Sequence, residues 1–507
     1  MYQISPLPIL LILLTPISLS SQSEGKSSDT IKPVPEPKTF LTNHTGIFGA
    51  GEISYDAIAS EIPLTTETGD TTAMIWSVAY VRSDSGKNRI RPVTFVFNGG
   101  PGSASVWLHM GLLGPKLVKV PGNAEADDGS PPYPIVNNVH GLLDITDLVF
   151  VDPVGTGYSC VVGKGKVEDF WGLMEDAKSI AQFIRSWITV HQRWNHPKYI
   201  AGESFGTTRA AAVAHQLMSG GQDVALNGLV MISQALDYAG STSDHYNITS
   251  YLTYLPSMAA TAWYHKKAGQ DLSLSEFAQK AREFTYDIYG PALLKGSLLN
   301  SSDRQNIVDQ LSYFTGLDPH YIDQSNLRIL VPRFQKELMR DEGITIGRLD
   351  GRYKAREADL VSERPTIGDP ASYSISSAYT AALNQYFADD LKIKMDRPYL
   401  TSNSKIYTKW NWKPVAKTSG WEPSYVNTAP LLGEAMRKNS DLRVLILSGY
   451  YDLITPFFDA EYTFARNGIV QDRLIFKYYE GGHMMYTHAD DLPRVCQDMR
   501  AFLTEKD

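Results

Sequence analysis

The chain has 507 residues, of which 43% are hydrophobic, 11% aromatic and 20% charged, which excludes a collagen-like, coiled-coil or disordered chain. Lys and Arg number 47 against 55 Asp and Glu, a net charge of −8, so no bulk attraction to nucleic acid or to an anionic membrane is expected. At roughly 150 residues per domain the length suits about three domains, and one large domain with an insertion suits it as well.

The chain opens with an apolar run, Ile9 to Leu14, then Pro16 and the small-x-small triplet Ser18-Leu19-Ser20. This reads as a signal peptide over 1–20, cleaved near Ser20, with a secreted or periplasmic product. The run is too short to cross a bilayer as a helix, and no later segment offers about 18 consecutive apolar residues, so the mature chain is expected to carry no membrane span. Residues 21–39 are polar, with Pro33, Pro35 and Pro37 in alternation, and read as an extended linker. Glycosylation sequons begin at Asn43, Asn247 and Asn300. Cys160 and Cys496 are the only cysteines. They allow one bridge at most and rule out a metal site built from paired C-x-x-C motifs.

From about 70 to 233 strand and helix signals alternate. Met74–Val81 and Pro92–Phe97 are predicted strands across the polar turn Ser83–Asn88. Leu148–Val151 is a short continuous apolar run, as in a strand buried on both faces. Asp169–His191 places Phe170, Leu173, Ala177, Ile180, Ile184 and Trp187 on one helical face. Tyr199–Ala201 is the next predicted strand, Thr207–Met218 an Ala-rich helix and Leu229–Ile232 a further strand. Residues 235–425 are Tyr-rich, strand-poor and mostly helical or irregular. Alternation resumes with helix Ala429–Arg437, strand Arg443–Leu447, helix Ala460–Arg466 and strand Leu474–Tyr478. The reading is one α/β domain with a mostly parallel sheet, over 40–234 and 426–507, interrupted by a cap insertion over 235–425. An insertion at that place covers the carboxyl ends of the strands, where open α/β sheets bind ligands.

Gly202-Glu203-Ser204-Phe205-Gly206 fits G-x-S-x-G between a predicted strand and a predicted helix, the context of a nucleophile elbow. Small neighbours let strand and helix pass closely while the serine hydroxyl projects from a strained turn. A serine needs a base, and in this architecture the acid and then the histidine follow later strands. Asp452 lies in the turn after Arg443–Leu447. His483 lies in the glycine-bracketed loop after Leu474–Tyr478. Asp459 is the competing acid, inside a predicted helix, and His488 the competing histidine. Asn98-Gly99-Gly100-Pro101-Gly102 directly follows strand Val93–Phe97. Such a loop brings backbone N–H groups close to an oxyanion, and the N–H groups of Gly100 and Phe205 are the candidate donors. Asp152–Ser159 is read as a loop supporting the sheet edge.

Taken together, Asn98–Ser103, Asp152–Ser159, Gly202–Gly206, Asp452 and Gly482-His483-Met484 resemble the serine carboxypeptidase family, in order and from about residue 70 to the C-terminus. The resemblance implies an α/β-hydrolase fold with a helical cap, and release of C-terminal residues from peptides through an acyl-enzyme. It implies a peptide substrate with a free C-terminal carboxylate and no metal or organic cofactor. Asn98, Gly99 and Glu203 match the positions that hold that carboxylate, and Glu203 must be protonated to do so. Leu112 stands where the family's second carboxylate-binding glutamate would be, Val96 where it has a tryptophan, and Ser103 where many members have a cysteine. The missing glutamate motivates an esterase or acyltransferase as the alternative on the same scaffold. A non-catalytic binding protein is the alternative from another class.

Overall fold

The computed structural model describes residues 32–49, 51–84, 90–413 and 424–505. The expected signal peptide and residues 21–31 of the expected linker lie outside the described residues. Residues 32–38 have no regular secondary structure and are largely exposed, and the linker's last residue, Thr39, already starts a strand.

Nine strands run through the central sheet: β1 (Thr39–Phe48), β2 (Gly51–Thr65), β3 (Thr71–Arg82), β4 (Val93–Phe97), β5 (Asp147–Val151), β6 (Lys198–Ser204), β7 (Gly228–Gln234), β8 (Arg443–Gly449) and β9 (Leu474–Tyr479). Their order is β1-β2-β3-β5-β4-β6-β7-β8-β9, and a tenth, two-residue strand, Cys160–Val161, pairs with β3. From β5 to β9 every pairing is parallel, while β1, β2, β3 and β5 pair antiparallel. β4 and β5 are buried at every residue, which explains their largely apolar sequences.

β1 and β2 had no counterpart among the expected strands. They form the sheet's antiparallel edge, where β1 is exposed or half-buried on alternate residues, so Thr, Asn and His interrupt any apolar run. The other predicted elements are present with shifted ends: the helix after β5 is Leu173–Val190, the one after Ser204 is Phe205–Ser219, and the late helix begins at Phe457, just past Pro456.

Helices cover both faces of the sheet. Leu173–Val190, Phe205–Ser219 and Ala429–Lys438 bury Ile180, Ile184, Trp187 and Leu432 against one face. Pro370–Asp389 and Asp491–Thr504 bury Tyr379, Leu383, Val495 and Met499 against the other. The stretch between β7 and β8 therefore divides its work. Helices Ile248–Tyr264, Leu274–Phe284 and Ser301–Thr315 enclose a separate core around Phe277 and Leu311. Pro370–Asp389 instead joins the sheet's own core, and Ile406 and Trp410 join the core of the opposite face. Among the described residues no helix is long and apolar enough to cross a membrane. Cys160 and Cys496 do not pair. The Asn247 amide is buried and donates to Ala239 O and Thr242 O, so that sequon is closed in the folded chain.

Candidate active site

β6 ends at Ser204, whose backbone has φ 58° and ψ −128°, a conformation that costs a non-glycine residue about 1–3 kcal/mol. The strain comes from the turn, because helix Phe205–Ser219 starts at the next residue. A Cβ on Gly202 would lie 2.3 Å from Gly206 O, and one on Gly206 would lie 2.8 Å from Phe97 O. Strand, helix and the loop after β4 therefore meet at distances that only glycine permits. The N–H of Phe205 opens the helix and has no intrahelical acceptor, so it is free to face an anion.

Asp452 follows β8 and His483 follows β9, at the same end of the sheet. His483 Nδ1 is 2.8 Å from Asp452 Oδ2. The carboxylate is fixed from its other side: Oδ1 accepts the N–H groups of Ile454 at 2.8 Å and Thr455 at 3.0 Å, and Oδ2 accepts the Thr455 hydroxyl at 2.9 Å. Burial works against a charged imidazole at His483. The Asp452 carboxylate, helped by the charge of Glu203, outweighs it and holds the pKa above its ordinary value. The competing residues are engaged elsewhere. His488 Nδ1 is bonded to Asp491 at 3.0 Å, and Asp459 sits in helix Phe457–Phe464, accepting from Gln234 at 3.0 Å.

The insertion holds the histidine loop from behind. Leu349 O accepts the His483 N–H at 2.7 Å, and Asp350 Oδ2 accepts the Gly482 N–H at 3.0 Å. Arg352 locks Asp350 in a buried ion pair at 2.6 Å. None of these residues, nor Thr455, was singled out from the sequence. For Thr455 a signal existed, since an Asp followed three residues later by Thr favours a local side-chain turn.

Asn98 ends the strand signal of β4 and donates its amide to Glu203 Oε2, while its own Oδ1 accepts the Leu108 N–H at 3.1 Å. The Tyr486 hydroxyl donates to both Glu203 oxygens, at 3.1 and 3.0 Å. Burial pushes the Glu203 pKa up to about 7, against the lowering pull of His483, Tyr486 and Asn98. Glu203 and His483 each favour the other's charged form. Gly99 presses on the elbow: a Cβ there would stand 2.5 Å from Phe205 N. Gly100 takes φ +110°, which turns the loop toward Ser204.

Asn98, Gly99, Gly100, Glu203, Ser204 and His483 all border one cavity of about 340 Å³, closed by Trp107, Leu349, Ile375 and Met484. Ser204 and Gly100 also border a second cavity of about 420 Å³ on the other side of the elbow. Leu112 is fully buried in the turn His109–Leu113 and borders neither. His109 is equally remote: it stacks on Phe150 at 4.1 Å, bonds Tyr80 at 2.7 Å, and burial drives its pKa down to about 3. Glu203's second partner is thus a tyrosine, not another carboxyl group.

A family model described as serine carboxypeptidase matches residues 70–481. Serine carboxypeptidase-like 16 of Arabidopsis thaliana is 26% identical over 242 residues, covering 46% of this chain and 49% of that protein. The pheromone-processing carboxypeptidase KEX1 of Saccharomyces cerevisiae is 26% identical over 251 residues, 47% of this chain and 31% of that protein. The chain thus spans half or less of these relatives' lengths. The crystal structure of a yeast prohormone-processing carboxypeptidase, KEX1(delta)p, superposes with a TM-score of 0.54 at 14% identity, over 92% of this chain and 90% of the other. That likeness bears on the fold, an α/β-hydrolase.

Proposed function

The chain belongs to the serine carboxypeptidase family, and on that premise we propose that it is a serine-type carboxypeptidase acting through an acyl-enzyme. Ser204 Oγ attacks the carbonyl of the last peptide bond. His483 Nε2 takes the hydroxyl proton and passes it to the departing amine. Asp452 holds the ring by Nδ1 and stabilises the imidazolium. The N–H groups of Gly100 and Phe205 receive the oxyanion, each worth about 3 kcal/mol of transition-state stabilisation. Water, activated by the same imidazole, then releases the shortened peptide.

The observation that carries the exopeptidase reading is Glu203. A buried carboxyl with a pKa of about 7, bonded to Asn98 and sharing a cavity with Ser204, is suited to donate its proton to a substrate carboxylate. The test compares a blocked dipeptide with its C-terminal amide. The acid is expected to turn over at least tenfold faster by kcat/KM, and equal rates would remove the reading in favour of an esterase or acyltransferase. Export follows from the run Ile9 to Leu14. Sequencing of the mature protein is expected to find its first residue near position 21.

A further inference from the structure

A substrate whose carbonyl lies at Ser204 extends to both sides of the elbow. One side is the cavity with Asn98 and Glu203. The other is the 420 Å³ cavity walled by Phe205, Tyr238, Tyr407 and Trp412. If the departing residue's carboxylate occupies the first, the residue that supplies the carbonyl projects into the second.

Arg348 is the one charged residue among those bordering that second cavity in the described structure. Arg348 is an exposed residue at the rim of the cavity, unlike the less accessible Arg352, Arg209 and Arg282, which bond Asp350, Asp176 and Glu461. Arg348 gives its Nε to Leu453 O at 3.3 Å, a long bond to a neutral acceptor, and no carboxylate of the described residues pairs with it. Asp369, the neighbouring acid, interacts with the Arg348 charge but gives its oxygens to the backbone N–H groups of Arg348, Leu349 and Ala371 at 3.0, 2.8 and 3.1 Å, not to the guanidinium. Those same bonds anchor the segment, and its next residue, Leu349, accepts the His483 N–H, so the arginine is set at a fixed place relative to the base. A guanidinium at the rim of a hydroxyl-rich, aromatic-walled hollow, with no carboxylate in hydrogen-bond contact, is able to receive one from a substrate.

We propose that Arg348 is a specificity-determining residue that selects peptides with an acidic side chain on the residue whose carbonyl Ser204 attacks. The proposal rests on the exopeptidase reading, which fixes which cavity takes which end of the substrate. The cavity on the departing side has apolar walls at Trp107, Ile375 and Met484, so phenylalanine is a suitable released residue for the probes.

The experiment uses the full enzyme with N-acyl-Glu-Phe, N-acyl-Gln-Phe and N-acyl-Lys-Phe. The assay is run at about pH 5.5, above the ordinary glutamate pKa of ~4.3 and below that of Glu203. The wild type is expected to prefer Glu over Gln by about tenfold in kcat/KM, the order of one charge-assisted hydrogen bond. R348Q is expected to bring the two rates together, R348K to keep the Glu preference, and R348E to favour Lys. Each ratio is taken within one enzyme, so it does not depend on how much of a variant folds, and fluorophosphonate labelling of Ser204 reports the intact fraction. A wild-type Glu/Gln ratio near one, or an unchanged ratio in R348Q, overturns the proposal. So does a loss, in R348Q, of discrimination between C-terminal acid and amide, because Arg348 would then read the terminal carboxylate. Failure of the exopeptidase reading is distinguishable: ester and amide probes would be cleaved as fast as acids, while their Glu/Gln ratio would still report on Arg348.

Discussion

At the residue scale the site turns on two carboxyl groups in different surroundings. Asp452 is surrounded by three donors and the imidazole, whereas Glu203 is buried with only an amide and a phenol. On the proposed reading, the neutral form of Glu203 would donate to a substrate carboxylate and the ionised form would repel it. Its folded pKa of about 7 means that peptidase kcat/KM should fall as pH rises through neutrality. E203Q keeps a donor without the charge, and its pH profile is expected to lose that alkaline limb. Stability follows the same sign. The raised folded pKa favours the native state below the unfolded value of ~4.3, and this advantage is lost as pH rises through about 7, so E203Q should melt higher than wild type at alkaline pH. D452N would present the wrong ring tautomer, and kcat should drop by about 10⁴-fold. T455A removes only one bond to that carboxylate, and a loss of about tenfold is expected in steady-state kinetics. Of these residues Ser204, Asp452 and His483 were legible because each ends a strand signal with a characteristic turn. Tyr486 was not, since only the folded loop after β9 carries its hydroxyl to Glu203.

At the element scale the parallel strands were readable because each is short, carries a run of apolar residues and mostly alternates with helices of clear period. The antiparallel edge was not, because half-exposed residues interleave with its buried ones. The 348–353 segment was also invisible, since its role depends on a fold-back across the histidine loop that no local pattern encodes. Asp350 is the pivot of that segment. D350A would leave Arg352 buried without its partner and the Gly482 N–H without an acceptor. Breaking such a pair typically costs about 3–5 kcal/mol. D350A should therefore lower the melting temperature markedly, and at permissive temperature reduce kcat more than it raises KM, because the loop of His483, the proposed base, is displaced and not the substrate pocket. Likewise G206A puts a methyl group against Phe97 O, and little folded protein is expected on circular dichroism.

At the scale of the whole molecule the fold stands on apolar packing. Two cores flank the sheet, a third lies within the insertion, and no disulfide joins them. Cys496 is buried with a pKa near 12, which keeps its thiol inert. Melting with and without a thiol reductant is expected to give the same midpoint. Because the insertion contributes Pro370–Asp389 to one core of the sheet and Ile406 and Trp410 to the other, it is not a detachable lid. Leu349 O and the Asp350 carboxylate of the insertion also bond the loop that bears the imidazole. Anyone grafting a foreign lid onto this scaffold, or transplanting this one to a sister enzyme, would have to carry the strap over 348–353 along with it. A chimera that changed the outer helices alone would keep the His483 loop in register, whereas one that exchanged the strap would lose the bonds that set that loop's place.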